Sequence, residues 1–221
     1  MMIDAHAHIG HFWKYAPIYP TVRTTEGMVK VMDRFGIDRA CVSSLRAMSG
    51  FMVQGNLEVK NEVGEFPDRF IPFCSINSKS SKAPDELKKC LGGWGWKGIY
   101  LHDIHYLDQD YSDFVFEAAE EYGVPVMVLP KDLGALGWPM ITEYEADNIA
   151  KMAGKFPKVT VIFAHMGWFS SDIACNAAKR HSNIVLDTTH SSSIQNIEPV
   201  VKAIGAERVV FGTGLPLMSP G

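Results

Sequence analysis

Eight short apolar, β-rich runs alternate with seven stretches of helical pattern along this chain, and that alternation restricts the fold more than any single motif. The runs cover residues 2–9, 39–45, 70–76, 98–102, 125–129, 159–165, 184–189 and 209–212. Between them, residues 25–35, 56–66, 84–91, 113–122, 143–156, 171–180 and 194–204 carry helical spacing or composition. Short apolar runs separated by amphipathic helices predict parallel strands with crossover connections. In the helix over 113–122, Phe114, Val115, Ala118, Ala119 and Tyr122 make one stripe suited to pack on a sheet. Gly36, Gly123 and Gly205 stand where a left-handed helix cap is cheapest, and Pro67, Pro125 and Pro157 stop propagation just beyond helix ends. The count predicts an α/β fold, a distorted (β/α)8 TIM-type barrel over residues 1–221 as a single domain. Its final helix is expected to be short or absent, because only residues 215–221 follow the eighth run. An uncovered strand flank then predicts a homodimer or another cover.

Composition narrows the partners. Of the 221 residues, 47 % are hydrophobic and 21 % charged, which suits a globular protein with a sizeable core. Lys plus Arg (21) against Asp plus Glu (25) leaves −4 with no basic tract, which argues against nucleic acid or an anionic membrane. No apolar run approaches the roughly 20 residues that span a bilayer. No signal peptide is visible at the first strand. Cys41, Cys74, Cys90 and Cys175 are scattered without a C-x-x-C pair, so reduced structural thiols in a cytoplasmic protein are expected.

The first run carries the chemistry. Strand alternation puts Asp4, His6 and His8 on one face and Ile3, Ala5, Ala7 and Ile9 on the other. Two imidazoles adjacent on one face can grip one metal ion. In a barrel of this kind functional groups gather at the C-terminal strand ends. His102, Leu129, His165 and His190 end the fourth to seventh runs, and Gly214 lies just past the eighth. Asp4, deeper than His6, reads as a buried partner that positions its neighbours rather than as a ligand. The loop over 11–20, with Phe12, Trp13, Tyr15 and Tyr19, reads as a lid or pocket wall, and Trp138 and Trp168 as residues bordering the same mouth. His105 and His190 read as loop histidines, and His181 as a favourable charge at a helix C-terminus.

Taken in order, Ile3-Asp-Ala-His-Ala-His-Ile-Gly10, Lys97-Gly-Ile-Tyr-Leu-His102, Gly123-Val-Pro-Val-Met-Val-Leu129, Phe163-Ala-His-Met-Gly167 and Phe211-Gly-Thr-Gly-Leu-Pro216 resemble the amidohydrolase superfamily, and within it the amidohydrolase-2 branch of decarboxylases, hydratases and lactonases. The resemblance implies metal ligation by the H-x-H pair, a histidine after strand five and an aspartate after strand eight, with a further histidine after strand six. His6 and His8 match the first pair of ligands. His165 matches the strand-six histidine, which the decarboxylases use to activate water. The strand-five position falls on Leu129 and the strand-eight aspartate on Gly214, so two usual ligands are absent. His102 is the expected replacement ligand or pocket residue, because it shares a face with Tyr100.

The reading is therefore a metal-dependent hydrolase, or decarboxylase, of a small organic acid, amide or lactone. One divalent ion is expected, zinc by the all-histidine donor set. The alternative is a catalytically reduced barrel that binds small molecules without metal. Related deoxyribonuclease barrels also open with H-x-H, but the glutamate they need after strand four is not evident here. Leu129 and Gly214 predict a less acidic mouth, suited to a ligand with an aromatic or aliphatic body.

Overall fold

The structure is a computed structural model that describes residues 1–10, 24–102, 110–129, 141–167, 171–189 and 194–218. In chain order the elements are β1 (Ile3–Ile9), α1 (Thr25–Phe35), β2 (Arg39–Ser44), α2 (Leu45–Met48), α3 (Met52–Val63), β3 (Phe70–Pro72) and β4 (Cys74–Ile76). They continue with α4 (Ala83–Leu87), β5 (Ile99–Leu101), α5 (Asp113–Tyr122), β6 (Val126–Val128), α6 (Glu143–Lys155), β7 (Val161–Phe163), α7 (Ser171–Arg180), β8 (Ile184–Asp187), α8 (Ile194–Ile204) and β9 (Val209–Val210). Every strand pairing is parallel, in the orders β1-β2-β3 and β4-β5-β6-β7-β8-β9.

Two seams join these sheets. β3 and β4 are one strand interrupted at Phe73, whose own N–H still donates to the Val42 carbonyl at 2.8 Å. At the other seam Ala5 N donates to Phe211 O (2.8 Å), Gly214 N to His6 O (2.8 Å) and His8 N to Leu215 O (2.7 Å), so β1 lies against the segment after β9. Backbone hydrogen bonds thus bridge both seams between the two parallel sheets, in keeping with the barrel that the alternating pattern predicts. Residues 215–217 form a turn.

Alternation sorts the strand residues into two layers. Ile99, Leu101, Val126, Val128, Val161 and Phe163 join the large core between strands and helices. Tyr100, Met127 and Ile162, one residue out of phase, join Phe73 and Ala164 in a smaller cluster inside the barrel. Helix ends follow local chemistry. Thr24 caps α1 by accepting from Gly27 N, and Thr142 and Glu145 form a reciprocal capping box on α6. Gly36 and Gly123 adopt the expected left-handed cap, whereas Gly205 (φ 91°, ψ 148°) has positive φ outside the left-handed helical region and leads into a short 3-10 turn at Ala206–Arg208. The helix expected over 56–66 begins earlier, because Ser44 caps a first turn, α2, and the chain re-enters helix at Met52. No helix among the described residues is long and apolar enough to cross a membrane.

Candidate active site

The C-terminal strand ends converge on His6. In β1 one extra residue is accommodated relative to β2 between Asp4 and Ala7, and beyond it His8 pairs directly with Ser43. His8 Nδ1 and Ser43 Oγ are 2.8 Å apart. The rings of His6 and His8 stand edge-on with centroids 4.9 Å apart, and His165 lies 5.0 Å from His6 on another side. His6 Nδ1 donates to Asp187 Oδ2 at 2.7 Å, and His6 Nε2 lies 3.1 Å from the Tyr100 hydroxyl. All three histidines are buried.

Asp187, the last residue of β8, organises this cluster. Its Oδ2 accepts from the His6 ring and from His165 N (3.2 Å), and its Oδ1 from Thr189 N (3.0 Å) and Thr189 Oγ1 (2.8 Å). Burial pushes its pKa up, but the charges and hydrogen bonds of His6, then His165 and Thr189, outweigh that and hold the carboxyl below its ordinary value. The carboxylate fits because of Gly212. A Cβ there would stand 2.1 Å from Asp187 Oδ1 and 3.0 Å from His6 Cβ, so only glycine lets the last strand pass.

His165 is held by its backbone as well as its ring. It follows β7 with φ 63°, and Met166 follows at φ 45°, two successive left-handed residues without the freedom of glycine. Such strain persists where surrounding bonds over-determine it. Here His165 N is tied to Asp187, and His165 Nδ1 donates to the Thr189 carbonyl at 3.2 Å. In the neutral ring that bond puts the lone pair on Nε2.

Tyr100 and His102 complete the wall contributed by β5. Their rings are 4.6 Å apart, as their shared face predicts. Burial, with the Asp187 charge, pushes the Tyr100 phenol well above its ordinary pKa, so it is a neutral hydroxyl. Burial and the nearby His6 lower the His102 pKa to about 3, and its buried Nε2 has no hydrogen-bond partner among the described residues.

The sequence expectations land unevenly on this geometry. Among the described residues the donors that approach one another as metal ligands are His6, His165 and Asp187, all within 4.8 Å. His8 stands beside that set, its ring centroid 4.9 Å from that of His6, and His102 packs on Tyr100 with centroids 4.6 Å apart. Leu129 is half-buried against the barrel-interior cluster. Gly214 has φ 71°, and a Cβ there would meet Thr189 Cγ2 at 2.9 Å. Asp4 accepts from Thr213 Oγ1 (2.5 Å), Thr213 N (3.0 Å) and His6 N (3.0 Å), a clamp between β1 and the segment after β9. Asp187 is the residue that sequence reasoning missed. The loop over 11–20 with Phe12, Trp13, Tyr15 and Tyr19, together with His105, Trp138, Trp168, His190 and Gly221, lies outside the described residues.

The profile of the amidohydrolase family matches residues 3–221. The chain belongs to the amidohydrolase family. Solved structures share this amidohydrolase's fold at low identity. A 2,6-dihydroxybenzoate decarboxylase from Rhizobium is 17 % identical with a TM-score of 0.76, covering 99 % of this chain and 89 % of that one. A dihydroxybenzoic acid decarboxylase from a Polaromonas species, solved with bound manganese and the inhibitor 2-nitroresorcinol, is 18 % identical with a TM-score of 0.74, covering 99 % and 87 %. A 4-oxalomesaconate hydratase from Rhodopseudomonas palustris is 17 % identical with a TM-score of 0.67, covering 97 % and 82 %. None of the curated proteins matches this chain in sequence.

The fold family implies a divalent metal, and the donors of this amidohydrolase fit one. Two imidazoles and a carboxylate within 4.8 Å of one another are a nitrogen and oxygen set of the kind that divalent transition metals take.

Proposed function

We propose that this chain is a metal-dependent hydrolase or decarboxylase acting on a small organic acid, with an amide or lactone as the hydrolytic counterpart. The observation that carries the reading is the convergence of four buried groups at the C-terminal end of the barrel, with the His8 ring 4.9 Å and the His165 ring 5.0 Å from that of His6 and Asp187 bonded to His6 at 2.7 Å. His6 and His8 would hold the ion, with Asp187 contributing the negative charge that Gly214 does not. Zinc suits this donor set, and manganese in a structural neighbour makes it the second ion to test. When bound, the ion supplies Lewis acidity toward a substrate oxygen.

The remaining work belongs to the chain's own residues. Asp187 holds the His6 ring in one orientation and tautomer, and Ser43 holds His8. His165 is the proton-transfer group, with Nε2 as its working nitrogen. His102, held neutral beside Tyr100, and the apolar Leu129 favour a substrate with an aromatic or aliphatic body over a highly charged one. The four free cysteines support a reducing, cytoplasmic setting. The exposed Ile3 and Phe211 on the flank between β1 and β9 support a homodimer.

The test is metal content with turnover. Chelator-stripped protein is reloaded with zinc or manganese and assayed against hydroxylated benzoates for carbon dioxide release, and against amides and lactones for hydrolysis. The expected result is one tightly held ion per chain, lost in His6→Ala, and activity that returns only on reloading. Uptake of no ion, with unchanged binding of these acids, would overturn the reading in favour of a metal-free binding barrel. The bond between Tyr100 and His6 is the observation that favours that rival.

A further inference from the structure

Both ring nitrogens of His6 are already engaged. Nδ1 gives its proton to Asp187 at 2.7 Å, so Nε2 is the acceptor and the Tyr100 hydroxyl, 3.1 Å away, is its donor. An ion that takes His6 through its imidazole has to displace one of these two bonds. The bond to the carboxylate is the shorter and is charge-assisted, which leaves the neutral Tyr100 bond as the weaker of the two. Position agrees with strength. The Tyr100 ring centroid lies 5.4 Å from that of His6, 5.6 Å from His8 and 4.6 Å from His102, so the phenol stands among three imidazoles.

We infer that Tyr100 is a built-in competitor for the metal, its hydroxyl capping His6 Nε2 in the metal-free protein and releasing it when the ion binds. The inference rests on the reading of His6 as a ligand given above. It assigns Tyr100 a role in setting metal affinity, and it explains how the buried His6 ring has both its nitrogens bonded before loading. Without that hydroxyl, His6 Nε2 would be a buried acceptor with no donor from β5, a costly state for the metal-free form.

Tyr100→Phe tests this, because it keeps the ring and removes only the hydroxyl. Stripped wild-type and variant proteins are titrated with Mn2+ and Zn2+ by calorimetry, and their metal-free forms are melted. The expected result is a metal-free variant that melts lower yet binds the ion about three- to tenfold more tightly, the worth of one neutral hydrogen bond. A purely structural tyrosine would lower melting without tightening binding, and equal affinities would overturn the inference alone. Weaker binding by the variant would make Tyr100 a supporter of the metal and overturn it too. Uptake by neither protein would overturn the proposed function and this inference with it. Ultraviolet difference spectra of the wild type give a check that needs no variant. Loading should perturb a buried tyrosine in proportion to bound ion, and a silent tyrosine spectrum would overturn the inference.

Discussion

Two aspartates hold His6, one by its backbone and one by its ring, and they differ in everything except depth. Asp4 and Asp187 are both fully buried. Asp4 is met by neutral donors, the Thr213 hydroxyl and the N–H groups of Thr213 and His6, with only a lesser contribution from the His6 charge, and burial wins, raising its pKa to about 6. Asp187 is met by two histidines as well as Thr189, and its pKa falls despite equal burial. At equal depth, the charge of a buried carboxyl is thus decided by how far its partners offset the cost of burial. Asp4 fastens strands together. Asp187 presents a charge to the place where chemistry is proposed.

The largest expected effect that sharpens this contrast is at Asp187. Asp187→Asn keeps the size and some hydrogen bonds but removes the charge facing His6. It should lower unfolding stability by about 4 kcal/mol, the range seen when one partner of a buried charge-assisted pair is removed, and should weaken metal retention. Urea unfolding and metal analysis read both. An effect no larger than that of Asp4→Asn would break the comparison.

A smaller effect follows from pH. The folded Asp4 pKa of about 6 stands above its ordinary 3.8, so between these values the folded state binds more protons than the unfolded one. Stability of the metal-free protein should therefore fall as pH rises from about 4 through 6, by roughly 2–3 kcal/mol. In Asp4→Asn that slope should flatten. The Asp187 contribution has the opposite sign, present above the ordinary carboxylate pKa and lost as pH falls through its lowered value. Unfolding curves across this range, wild type against Asp4→Asn, separate the two. An unchanged slope in the variant would show that Asp4 does not carry the titration.

The smallest effect is at Ser43, which holds His8 with a hydroxyl where Asp187 holds His6 with a carboxylate. Ser43→Ala should cost about 1 kcal/mol, the worth of a neutral hydrogen bond, and should affect metal retention less than Asp187→Asn. A larger loss than at Asp187 would make His8 the dominant ligand.

Much of the framework was legible because it depends on local periodicity. The eight runs match the strands closely, since parallel strands buried on both faces read as short continuous apolar stretches. The break at Phe73 was not legible, because Phe70–Ile76 reads as one continuous apolar run. His6, His8 and His165 were legible as strand-end groups. Asp187 has a signal too, a carboxylate ending the apolar run Ile184-Val-Leu-Asp187, but that run alone does not say that it meets a ring 181 positions away. His102 was legible by alternation as sharing a face with Tyr100, and the two rings are 4.6 Å apart.

By itself, then, the sequence determined the barrel, its two-layered strands and the histidines at their ends, because φ/ψ preference and alternation act over a few residues. Only the tertiary structure decided which of those groups touch. His6 and Asp187 are 181 positions apart and meet at 2.7 Å because the chain closes on itself, and Gly212 leaves the room for them to do so. A hydrogen bond depends on a few tenths of an ångström across that closure, and no local pattern carries such a distance.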